Sequence, residues 1–198
     1  MFMCQGVLLV QMHCYLESCN CTRKLRNIAL LAKEQGMYNS MKNWNGNLLA
    51  KEIDSHFPNS VKKSNSKDVY IHPEKIYEVM KFLKETSGFS FDLLSSVTAV
   101  DYYDHFEVVY HLKSLLTLSK ATIKAKVGYG RQSEPKIQSL YSLWKGADFQ
   151  EREIYDLMGI KFEGHPNMKR ILLWDGFPGH PLRKDFVTND QSLVGDSS

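Results

Sequence analysis

The sequence predicts an α+β fold: an antiparallel sheet with helices packed on one face, plus an extended C-terminal arm. Three observations carry this. Apolar residues recur at helical spacing over Leu48 to Phe57 and again over Ile76 to Leu83. Three later segments, Ser95 to Tyr102, Phe106 to Leu112 and Thr122 to Val127, are β-branched or alternate apolar with polar residues. The link Tyr103-Asp104-His105 between the first two is short, which makes them an antiparallel hairpin.

Taken in order, residues 1–46 show no clean period and end in the turn-prone Trp44-Asn45-Gly46-Asn47. They are read as a disordered leader, or as translation from a start upstream of the true one at Met37 or Met41. Residues 47–134 form the α+β domain and 135–198 a motif helix with a docking arm. Within the domain, Leu48, Leu49, Ile53 and Phe57 make the first helix, closed by Pro58. Ser60 to Lys67 is a polar loop and Val69-Tyr70-Ile71 a short strand. Pro73 opens the second helix, whose stripe is Ile76, Val79, Met80 and Leu83, with Gly88 as its stop. In the third helix Asp148 and Glu151 have capping-box spacing, Gly159 ends the helix, and Ile154, Leu157 and Met158 form the buried stripe. Arg152, Glu153 and Asp156 project elsewhere.

At 198 residues, 43% hydrophobic and 24% charged, the chain is long enough to fold around its own core. The net charge of +3 comes from interleaved charges, so nucleic acid is not an expected partner. No apolar run approaches the ~20 residues that span a bilayer. Membrane contact is therefore expected only through partners. All four cysteines, Cys4, Cys14, Cys19 and Cys21, precede the predicted domain, and their spacing forms no zinc knuckle.

Charged residues, two His-Pro steps and a tryptophan gather from Glu151 to Asp185, and three chemistries compete for that stretch. Glu153 and Asp156, three apart, suit a free-standing acid–base enzyme, but Arg152 lies four before Asp156 and favours a charge pair that keeps it ionised. Glu151, His165, Asp175 and His180 are metal-ligating types without any H-E-x-x-H arrangement. No serine sits in a G-x-S-x-G elbow, and Gly128-Tyr129-Gly130-Arg131 lacks the third glycine of a dinucleotide loop. Docking remains: an irregular arm rich in Arg, Trp and His-Pro steps would satisfy its backbone by lying along another subunit.

Leu143-Trp144-Lys145-Gly146-Ala147-Asp148-Phe149, followed by Glu151 to Ile160, closely resembles the hallmark of the 30 kDa-type subunit (the C subunit) of respiratory complex I. The similarity continues through Phe162, Gly164-His165-Pro166, Lys169-Arg170-Ile171-Leu172 and Gly179 to Phe186. The resemblance implies a cofactor-free peripheral-arm subunit of a proton-translocating NADH:quinone oxidoreductase. Iron–sulfur clusters, NADH, flavin and quinone are then expected in partner subunits. It further implies packing against subunits D and B and other peripheral-arm subunits. The expected location is the cytoplasmic side of the cell membrane, or the matrix side of the mitochondrial inner membrane. Carried over, Glu151, Arg152, Glu153, Tyr155, Asp156, His165, Pro166, Lys169, Arg170, His180, Pro181, Arg183, Lys184 and Asp185 become interface or structural residues, none of them catalytic. Related subunits also occur in membrane-bound hydrogenases and in ferredoxin- or F420H2-fed complexes. Residues 1–46 match nothing in that family.

Overall fold

The computed structural model describes residues 41–130 and 134–187. Residues 1–40 of the leader, with its cysteines, and the tail beyond Val187 lie outside the described residues. The leader's last residues belong to the domain instead, because Lys42 and Asn43 pair with the central sheet and Asn45 and Gly46 open the first helix. Strands β1 (Lys42–Asn43), β2 (Val61–Ser64), β3 (Asp68–Ile71), β4 (Leu93–Asp101), β5 (Phe106–Ser114) and β6 (Ser119–Val127) form one sheet. Its order is β2-β3-β6-β5-β4, with β1 also pairing β6. Helices α1 (Gly46–His56), α2 (Ile76–Glu85) and α3 (Ala147–Met158) pack on it. Strands β7 (Lys136–Gln138) and β8 (Lys161–Glu163) form a small parallel pair on either side of α3 in sequence.

The α+β class holds, and the long β4-β5-β6 meander is antiparallel as predicted. The sheet as a whole is mixed, because β3 and β1 both pair with β6 in parallel. Strand β2 falls inside the predicted polar loop. It is a hairpin partner of β3 at the sheet edge, where Lys62 and Lys63 remain exposed and no apolar alternation is needed.

Alternation decides what faces the helices. Phe106, Val108, Tyr110 and Leu112 from β5 meet Ala121, Ile123, Ala125 and Val127 from β6 on the inner face, all buried. The stripes Leu49, Ala50, Ile53 of α1 and Ile76, Val79, Met80, Leu83 of α2 close over them. Asn45 caps α1 by accepting the Asn47 N–H at 2.9 Å. Gly46 follows because a Cβ there would stand 2.8 Å from the Asp68 carbonyl oxygen, inside the turn of the β2–β3 hairpin.

Candidate functional site

Helix α3 begins against the core and carries buried charge. Trp144 anchors its entry, donating Nε1–H to the Asp92 carbonyl at 3.1 Å. The N-cap is Gly146, which makes no side-chain cap, so the expected capping box does not form. Glu151 instead turns inward, fully buried, and accepts Ser139 Oγ–H at 2.5 Å and the Leu140 N–H at 2.8 Å. A tertiary partner thus replaces the local one and ties α3 to the segment after β7. Burial, aided by nearby Asp148, pushes the Glu151 carboxyl up to about 7 against the pull of the two hydrogen bonds. Gln150 Oε1 accepts the Val97 N–H at 2.6 Å, so the helix also pins edge strand β4.

Asp156 is the centre of the cluster. It is completely buried rather than projecting, and its Oδ2 accepts three successive backbone N–H groups, Ile171 at 3.0 Å, Leu172 at 2.8 Å and Leu173 at 2.9 Å. Oδ1 takes Arg170 Nη1–H at 3.3 Å. Burial alone would raise this carboxyl, but the three N–H donors and the guanidinium outweigh it and hold it below the usual carboxylate range. The expected Arg152–Asp156 pair does not form. Arg152 Nε donates to the Lys169 carbonyl at 3.1 Å, and its guanidinium lies 5.9 Å from the Phe149 ring centroid. A carboxylate already taken by four donors is not poised as a general acid, and Glu153 stands exposed outside the cluster.

The arm after β8 folds back on α3. Gly159 closes the helix in the left-handed region at φ 73, and a Cβ there would lie 2.6 Å from His180 Nε2. His180 donates Nδ1–H to the Asp156 carbonyl at 2.8 Å; burial, with Arg183 and Arg170 nearby, lowers its pKa and keeps the ring neutral. The Tyr155 ring meets it edge-on at 6.3 Å. Beside Pro181, the Leu182 N–H reaches the Leu157 carbonyl at 3.0 Å. Arg183 Nε donates to the Met158 carbonyl at 2.6 Å, with its guanidinium 5.1 Å from the Phe106 ring centroid. The Lys184 N–H reaches Asp101 Oδ2 at 2.7 Å, and the next residue, Asp185, is exposed. Arg170 Nη2 bonds the Gly179 carbonyl at 3.0 Å.

The arm therefore satisfies many of its own backbone groups, against the expectation that a second subunit must do so. His165 Nδ1 accepts the Asn167 N–H at 3.1 Å across exposed Pro166, which places the proton on Nε2, 3.2 Å from Asp148 Oδ1. That contact is too misaligned to count as a hydrogen bond. Lys169 is exposed. Among the described residues no three His, Cys, Asp or Glu side chains converge on a metal position, and no helix is long and apolar enough to cross a membrane.

Besides exposed charges, the clamp leaves four large apolar side chains outside: Phe149 is 67% exposed, Leu172 60%, Trp174 57% and Leu182 53%. Trp174 is braced by Phe177 at 5.7 Å, itself stacked on Phe186 at 6.0 Å. Sequence reasoning singled out the charges and passed over Phe149, Leu172 and Leu182. Phe149 stands on the exposed side of α3, and its position between Asp148 and Gln150 was a usable signal.

Comparison with known proteins places this geometry. The family model described as respiratory-chain NADH dehydrogenase, 30 Kd subunit, matches residues 69–192. The NADH-quinone oxidoreductase C 2 subunit of Rhizobium meliloti (strain 1021) is 43% identical over 119 residues, 59% of this chain and 63% of that one. The NADH-quinone oxidoreductase C subunit of Moorella thermoacetica is 50% identical over 115 residues, 57% of this chain and 74% of that one. The match thus spans less than two thirds of the Rhizobium relative's length. Among solved structures, a chain of the membrane-bound sulfane sulfur reductase, an archaeal respiratory membrane complex, superimposes with a TM-score of 0.56 at 25% identity. The superposition covers 75% of this chain and 88% of that one.

Proposed function

The chain belongs to the respiratory-chain NADH dehydrogenase 30 kDa subunit family, and from that premise we propose that it is a cofactor-free peripheral-arm subunit of a proton-translocating NADH:quinone oxidoreductase. In this reading it docks onto subunits D and B and supports electron transport from NADH to quinone without chemistry of its own. Glu151, Arg152, Glu153, Tyr155, Asp156, His165, Pro166, Lys169, Arg170, His180, Pro181, Arg183, Lys184 and Asp185 then hold or border the docking surface. One observation carries the reading. The Asp156 clamp fixes the arm on α3 and leaves Phe149, Leu172, Trp174 and Leu182 facing outward on a rigid support. Exposed aromatic and aliphatic anchors on a preorganised backbone are what a protein interface uses.

The test is a tagged chain recovered from native membranes under mild detergent. Subunits D and B should co-purify with membrane-arm proteins, on the cytoplasmic or matrix side of the membrane. A clean monomer would overturn the reading. The likeness to the sulfane sulfur reductase chain favours one second reading, an equivalent subunit in a related membrane complex with another donor and acceptor. The same purification separates the two by the electron-input subunits recovered.

A further inference from the structure

The sheet has a second side, and its two halves are charged differently. On the face turned away from the helices, Lys124 sits 3.2 Å from Glu107 and 3.3 Å from Asp68, so that half neutralises its central lysine. Toward the β5–β6 turn the arrangement reverses. Lys113 of β5 stands directly opposite Lys120 of β6 in register, and Asn43 of β1 opposite Lys120. Like charges directly opposite on one face of a sheet are destabilising. Among the described residues neither lysine has an acidic partner. One row further on, His111 pairs with Thr122 in register, its Nδ1 3.2 Å from the hydroxyl, and Ser96 lies opposite His111. Together these residues line an open groove of about 340 Å³, and no Asp or Glu contributes to it.

The end of the groove is apolar. Leu93 lies opposite Lys113 and is 41% exposed, and the turn beyond adds Leu115 at 42% and Leu116 at 68%. The nearby acid in sequence, Asp92, is engaged by the Leu115 N–H at 2.9 Å. We propose that this groove is a second docking site, which takes an acidic segment with apolar flanks from a partner protein chain. Charge complementarity selects that occupant. Carboxylates would relieve the Lys113–Lys120 repulsion, the His111, Thr122, Ser96 and Asn43 groups would accept or donate hydrogen bonds, and the leucines would cover its apolar residues. Residues 1–40 of this chain do not complement the groove, since Arg23, Lys24, Arg26 and Lys33 outnumber Glu17 and Glu34. A lipid surface is a poorer fit, because polybasic membrane attachment uses clusters of about 4–8 basic residues on an open face. The proposal rests on the subunit reading above, but on a face and on residues separate from the α3–arm surface.

The experiment is site-specific photocrosslinking of the full chain in native membranes, with a photoreactive residue at Leu116 beside the groove and, separately, at Leu172 on the arm. Crosslinked peptides are identified by mass spectrometry, and K113Q/K120Q is introduced behind each probe. The expected result is a crosslink from Leu116 to an Asp/Glu-rich segment of a partner subunit. K113Q/K120Q should lower its yield about tenfold, the effect of two modest charge pairs. The Leu172 crosslink should persist, and the melting temperature of the full chain should stay level or rise as the repulsion is removed. The proposal is overturned if the Leu116 probe captures lipid, a second copy or residues 188–198 of its own chain, or captures nothing while Leu172 still crosslinks. It is equally overturned if K113Q/K120Q leaves the Leu116 yield unchanged, or lowers the melting temperature and both yields together. Loss of both crosslinks in the unaltered chain would remove the subunit reading itself and this site with it.

Discussion

Asp156 shows at the scale of one residue why charge density in a sequence does not reveal which charges work together. Spacing suggested Arg152 as its partner, four residues away on the same helix, whereas the contact is to Arg170, fourteen residues on, and to three backbone N–H groups of the arm. The asymmetry of the site predicts an asymmetry of mutants. Asp156→Ala strands a half-buried guanidinium and three inward N–H groups, and should cost about 3–5 kcal/mol in chemical denaturation. Arg170→Ala leaves the carboxylate its three N–H donors and should cost only about 1–2 kcal/mol. Equal losses would show that the ion pair, rather than the backbone donors, holds the arm. Because the Asp156 pKa is depressed on folding, its stabilisation is present above the unfolded value near pH 4 and disappears as pH falls through the folded one.

Glu151 runs the opposite way. Its folded pKa of about 7 lies above the unfolded value of 4.5, so the native state binds the extra proton between them. Stability should therefore fall as pH rises from about 4.5 to about 7, by up to about 3 kcal/mol at 1.36 kcal/mol per pKa unit. Glu151→Gln keeps an acceptor for the Leu140 N–H and has no charge to bury. Comparing urea midpoints at pH 5 and pH 8 should show that slope flattened in the variant; an unchanged slope would assign it to other groups.

At the scale of the element, what could be read from the sequence was what local chemistry dictates. The stripe of α2, the alternation of β5 and the stop at Gly159 each depend on neighbours within a few residues, and each stands in the structure, whereas α1 buries Leu49 and Ile53 but leaves Leu48 56% exposed. The failures share a cause, which is that a partner outside the element itself won. Glu151 left the capping box for Ser139 and Leu140, and β2 became a strand because β3 offered it an edge. Gly159 carries both kinds of constraint. Its positive φ is a local requirement visible in sequence, while the His180 ring packed on its α-carbon belongs to the arm. Gly159→Ala should therefore cost more than the ~1 kcal/mol of a left-handed strain alone, about 2–4 kcal/mol in all, since the ring must move and its bond to the Asp156 carbonyl with it. A loss near 1 kcal/mol would mean that the arm shifts freely, and that the clamp is looser than its hydrogen bonds suggest.

For the whole molecule, the candidate docking surface separates two quantities that usually travel together in mutants, the stability of the chain and its association. The family resemblance was legible from residues 143 to 186, yet the residues it highlights are mostly occupied inside the chain: Asp156 with the arm, Arg183 with Met158, Arg170 with Gly179. Large apolar side chains between them are free to meet a partner; periodicity could not mark Leu172, Trp174 and Leu182 as exposed because the arm has no period, while Phe149 stands between polar neighbours on α3. Phe149 and Trp174 are more than half exposed, so truncating them removes little buried area from the chain itself. Phe149→Ala and Trp174→Ala should each change the unfolding free energy by about 1 kcal/mol or less. Recovery of the chain with its membrane complex should fall much further, by about tenfold or more for each, because aromatic anchors dominate interface energies at about 2 kcal/mol or above. Variants of Asp156 should lose both together, since the support goes with the surface. If Phe149→Ala and Trp174→Ala assemble at the level of the unaltered chain, partners do not meet the α3–arm face, and the docking role must be carried by another side of the molecule.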